Sequence, residues 1–140
     1  MDPKTITDTP VLNPVARALA ETDRLQAFAA APDRARVSEA LLPLFLAAVW
    51  TAREGALVCL LPDDADARDI AEAAGWYLGE DRVGLLASRG VRWETGLRPP
   101  PHLVGERARA LEILASGGLV CASALGMADL LPPPRSRPET

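Results

Sequence analysis

A chain of 140 residues, 49% apolar and 24% charged, is long enough for one domain with a buried core and too apolar for disorder along its whole length. Its net charge of −4 excludes an overall basic field that would draw it to nucleic acid. Its two cysteines lack metal-ligand spacing, and no apolar run approaches the roughly 20 residues of a membrane span.

Residues 1–12 read as a flexible N-terminal arm, too polar for a signal peptide, so the expected location is the cytoplasm with reduced thiols. Asn13-Pro14 reads as a helix start, with asparagine as the cap and proline at the first helical position. Val15, Ala18, Leu19, Thr22, Leu25 and Ala29 then mark one helix face, or two short helices with Thr22 capping the second. Arg34 to Val37 is short enough to be the lead-in of a strand.

A helix is expected over about Ser38 to Arg53, with Leu41, Leu42, Phe45 and Val49 facing the core. Its start is the place where a nucleotide-binding sheet would carry a glycine-rich loop and a lysine to wrap phosphates. Here the residues are Val37-Ser-Glu-Ala-Leu-Leu-Pro43, with neither glycine nor lysine, and Glu39 would repel a phosphate.

Ala56 to Leu61 is an uninterrupted apolar run bounded by Gly55 and Pro62, which reads as a strand buried on both faces around which the rest is organised. Asp63 or Asp64 caps the next helix, to about Leu78, with Ile70, Ala73, Ala74 and Tyr77 inward and Gly79 closing it. Capping and dipole roles account for Asp63, Asp64 and Asp66 without a metal. Arg82 to Ala87 reads as a third strand.

An irregular, exposed loop is expected from Ser88 to Pro101, because it holds two glycines and three prolines around Trp93. Six arginines against two glutamates lie between Arg82 and Arg109, a local positive excess in an acidic chain. Arg89, Arg92, Trp93 and Arg98 are therefore the candidate contacts to a partner or to a DNA backbone. The plainer reading is that arginine is this chain's ordinary surface cation. His102, the single histidine, reads as a loop residue with no nucleophile beside it.

Leu103 to Ala115 should be helical, with Val104, Ala108, Leu111, Leu114 and Ala115 inward. Leu119 to Ser123 reads as a buried strand, and Ser123 as the cap of a short helix to Leu131. Cys59 and Cys121 fall in the two most apolar strands and can form a disulfide only if those strands are neighbours. Residues 135–140 read as a linker or chain end. The alternation of helix and strand implies a three-layer α/β fold, a mostly parallel sheet with helices on both faces. Such a fold gives no function by itself.

Several weak motifs in order carry a family resemblance. Arg92-Trp-Glu-Thr95, Leu103-Val-Gly-Glu-Arg107, Ala110-Leu-Glu-Ile-Leu114, Leu119-Val-Cys-Ala-Ser-Ala-Leu125 and Leu130-Leu-Pro-Pro133 resemble the N-terminal part of bacterial transcription-repair coupling factor. Arg36-Val-Ser38 and Leu57 to Asp63 fit the same register. Gly96-Leu97 departs from it, standing where the family usually has Leu-Pro. The resemblance implies that residues 13–134 form a helicase-like domain similar to the first domain of the excinuclease B protein, a degenerate P-loop NTPase (RecA-like) fold. The phosphate loop would be lost, and the loop after the third strand is too short for that relative's DNA-clamping hairpin. It implies a non-catalytic scaffold with no cofactor of its own, ATP serving only a downstream translocase module. The implied partners are neighbouring domains of one longer protein, the excinuclease A protein through the adjacent domain, and RNA polymerase and DNA through downstream modules, in nucleotide excision repair coupled to transcription. Two other readings stay open: a stand-alone interaction module of this fold, and an unrelated small α/β enzyme with polar groups such as Asp63, Ser88 and Ser123 converging at the carboxyl ends of the strands.

Overall fold

The computed structural model describes residues 9–53, 55–91 and 95–129. Two short helices open it, α1 (Asn13–Ala20) and α2 (Asp23–Ala30). A 3₁₀ turn, Glu39–Leu41, leads into α3 (Leu42–Arg53), placing Pro43 in the first turn, where its missing N–H is tolerated. Then come β1 (Leu57–Leu61), α4 (Asp64–Leu78), β2 (Val83–Leu86), α5 (Pro101–Ala115), β3 (Leu119–Ser123) and α6 (Ala124–Ala128).

The three strands form one parallel sheet in the order β1-β3-β2. The fold is therefore α/β, but its centre is β3 and not β1. All five residues of β3 are buried, and Leu119 and Val120 are each worth about 2 kcal/mol of apolar burial. The expectation that the run at 57–61 is buried on both faces is corrected. β1 is an edge strand whose residues alternate, with Leu60 62% exposed and Val58 41% exposed. A continuous apolar run signals burial on two faces only when a helix covers each. Here α5 packs on β2 and β3, through Ala110 and Ile113 against Leu86, Val120 and Ala122. The other sheet face, bearing Leu57, Cys59, Leu119 and Val83, is covered by α1, α3 and α4.

Arg34 to Val37 forms no strand; it runs without ladder partners into the 3₁₀ turn. Asn13 does not cap α1. Its amide Nδ2 donates instead to the Tyr77 carbonyl at 3.0 Å, fastening α1 to the last turn of α4. Thr22 sits at the N-cap of α2, but its hydroxyl donates back to the Leu19 carbonyl. In α3 the buried residues include Leu46, Ala47, Ala48 and Val49, while Leu41, in the turn before it, is 55% exposed. In α5, Val104 and Ala115 point outward; Arg107, Ala108, Ala110, Leu111 and Ile113 are buried. The run Pro99-Pro100-Pro101 makes α5 begin at Pro101, so His102 lies in its first turn and not in the loop. No helix among the described residues is long and apolar enough to cross a membrane.

Candidate functional site

The carboxyl ends of the three strands bring together side chains that are far apart in sequence. At the end of β1, the Asp63 carboxylate accepts from the Asp66 backbone N–H at 2.9 Å and so caps α4. Asp64, one residue on, turns toward the end of β2. Its Oδ1 accepts from the Ser88 backbone N–H at 2.9 Å and its Oδ2 from the Ser88 hydroxyl at 2.5 Å. Burial works to raise the Asp64 pKa. The hydroxyls of Ser123 and Ser88, the Ser88 N–H and the charge of Arg68 outweigh it and hold the carboxyl below its ordinary value. At the end of β3, Ser123 accepts from the Gly126 N–H at 2.8 Å and caps α6.

The second half of the cluster is built on Arg107, which is 8% exposed. Its Nη1 donates to the carbonyls of Ala87 and Gly126 and lies 3.7 Å from Asp129 Oδ2. That same carboxylate oxygen accepts from the Arg89 backbone N–H at 2.8 Å. Burial lowers the Arg107 pKa and the Asp129 charge opposes the shift. Close backbone approach makes this possible: a Cβ on Gly126 would run into the Leu86 carbonyl oxygen. Glycine is thus required where α6 crosses the end of β2.

The cluster is a tie. It fastens the segment after β2, the start of α4 and the turn after α6 to one another. The hydroxyls of Ser88 and Ser123 are engaged with Asp64 and a backbone amide, and neither has an imidazole beside it; His102 is exposed on α5. Among the described residues no group of three His, Cys, Asp or Glu side chains is placed to hold a metal ion. Cys59 and Cys121 stand directly opposite each other on neighbouring strands and are free thiols. Burial raises both, Cys121 to about 12 with a contribution from Cys59, so neither is a ready nucleophile.

The arginines read from sequence as one basic surface are dispersed. Arg89 is half-buried and anchored through its backbone, whereas Arg98 is exposed. Arg92 and Trp93 lie outside the described residues, as does Leu130 to Pro133. Three other members of the local excess are committed elsewhere. Arg82 lies over the Trp50 ring, Arg107 is in the buried cluster, and Arg109 Nη2 donates to the Glu80 carbonyl at 2.9 Å. Sequence reasoning placed Asp63, Ser88 and Ser123 at the strand ends but missed Arg107 and Asp129. The signal available was Arg107 four residues before Leu111, on the apolar stripe of α5.

No family model, curated protein or solved structure matches this chain.

Proposed function

We propose that this chain is a non-catalytic scaffold domain of the transcription-repair coupling factor type, a three-layer domain of degenerate RecA-like fold. The observation that carries the non-catalytic part is the carboxyl-end cluster. In an α/β domain the ligand crevice lies outside the carboxyl ends of the strands. Here that place is filled from within. Asp64 is held by Ser88, and Arg107 is held by two backbone carbonyls and Asp129. Groups spent on each other are poorly placed to bind phosphate or to transfer protons.

The start of α3 supports the same reading. The 3₁₀ turn that the resemblance would align with a phosphate loop carries Glu39 and no glycine, and among the described residues no strand leads into it. In this role the domain shapes its neighbours in a longer protein. Recruitment of the excinuclease A protein falls to the adjacent domain, and contacts to RNA polymerase and DNA fall to downstream modules. The exposed Arg98 would face a neighbouring domain or the DNA backbone. Titration calorimetry with magnesium ATP tests the non-catalytic reading. No heat of binding is expected, and a saturable heat abolished by Asp64→Ala would refute it.

A further inference from the structure

A second feature lies at the opposite edge of the sheet from β1. Among the described residues β2 is bonded only to β3, so its other edge is free. That edge forms the floor of a cleft of about 480 Å³, with α4 on one side and α5 on the other. The two helices sit on opposite faces of the sheet, so contacts between them must pass around β2. One bridge does so near its carboxyl end, where Arg68 pairs with Glu106 through two contacts at 3.0 and 3.3 Å. At its amino end Arg109 reaches the Glu80 carbonyl. These long side chains span the cleft without filling it. The Arg68–Glu106 pair is exposed and so of the weak, displaceable kind.

Between the bridges, α4 presents Arg68, Glu72 and Trp76 at four-residue spacing, which puts them on one stripe. Trp76 is 61% exposed, and its indole N–H has no partner among the described residues. Glu72 and Glu80 line the same cleft, and their carboxylates have no ion pair among the described residues. The charges of Arg68 and Glu106 cancel each other. Arg109 supplies one further positive charge against the two negative charges of Glu72 and Glu80, so the wall around Trp76 is net acidic.

We propose that this cleft binds an extended, basic polypeptide segment, which adds to the β2 edge as a fourth strand and lays an arginine or lysine on Trp76 between Glu72 and Glu80. The free strand edge supplies main-chain hydrogen bonds, which fix the ligand as a peptide in extended form. An aromatic face flanked by two carboxylates selects a cation. The same carboxylates repel nucleic acid. The site touches the carboxyl-end cluster only through the charge of Arg68, which also acts on Asp64, and it does not depend on the scaffold reading.

The test is fluorescence anisotropy with a labelled pentapeptide alternating valine and arginine, titrated against the full chain. Saturable binding is expected, weakened about tenfold or more by Trp76→Ala and by the Glu72→Gln, Glu80→Gln double variant. All three residues are exposed or line the cleft, so circular dichroism should show these variants folded. A peptide with glutamate in place of arginine should not bind, and one with methylated backbone nitrogens should bind about tenfold more weakly. Equal affinity for the variants, equal affinity for the methylated peptide, or no saturation by about 1 mM would overturn the proposal.

Discussion

Replacing Arg107 by methionine removes the centre of the carboxyl-end cluster while keeping an unbranched apolar stem in the space the arginine fills. The guanidinium supplies one nitrogen, Nη1, to the Ala87 and Gly126 carbonyls, and both residues are buried. Each carbonyl left without that donor costs about 1–2 kcal/mol. Asp129 loses less, about 0.5 kcal/mol, because it keeps the Arg89 N–H and its side chain retains contact with water. Against this, burying a guanidinium is itself unfavourable, and Nη2 is buried without a hydrogen bond among the described residues, so methionine recovers about 1 kcal/mol. The net expectation is a loss of about 2–3 kcal/mol, equivalent to a fall in Tm of about 7–10 °C for a domain of this size. Urea unfolding followed by circular dichroism reads it as a lower midpoint at unchanged slope. A loss below about 0.5 kcal/mol, or a gain, would mean that the cluster does not hold the strand ends together.

Gly126→Ala should destabilise by more than about 2 kcal/mol in the same assay, since its Cβ would run into the Leu86 carbonyl oxygen and backbone cannot yield as a side chain can. Asp63→Ala removes the cap of α4 and should cost about 1 kcal/mol, and a cost near zero would show the cap to be idle. Asp64 has its folded pKa held below the unfolded value. The stability it supplies is therefore present above the unfolded pKa, about 3.9, and disappears as pH falls through the folded pKa. The stability gap between the native chain and Asp64→Asn should then be widest above about pH 5 and close on acidification; a gap that widens instead would reverse the assignment. Cys121, with its thiol pushed up to about 12 and fully buried, should resist iodoacetamide at neutral pH until the chain unfolds, with mass spectrometry of digested peptides as the readout.

Much of this fold is legible from local chemistry. Asp63 and Gly79 bracket α4 because a carboxylate cap and a positive-φ glycine act within a few residues of the ends they define. β1, β2 and β3 stand within a residue or so of the apolar runs that announce them, because Gly, Pro or polar residues interrupt those runs. The order of the strands is another matter. Nothing within Ala56 to Leu61 distinguishes a central strand from an edge strand; α5 decides it by covering β2 and β3 and leaving Val58 and Leu60 open.

The candidate site divides in the same way. Ser123 is readable because its cap bond closes within three residues. Arg107 is not, because its partners lie 20 and 19 residues away and an arginine on a helix reads as a surface cation until the tertiary contacts are known. The basic stretch from Arg82 to Arg109 shows the converse error. Charges close in sequence are spread by folding onto Trp50, a buried cluster and the Glu80 carbonyl.

The scaffold reading is tested most directly by the mass of the polypeptide that carries this sequence in cells, detected in extract with an antibody raised against the domain. The reading predicts a product many times heavier than 14.9 kDa, with this domain as one part. A product of about that mass would contradict it.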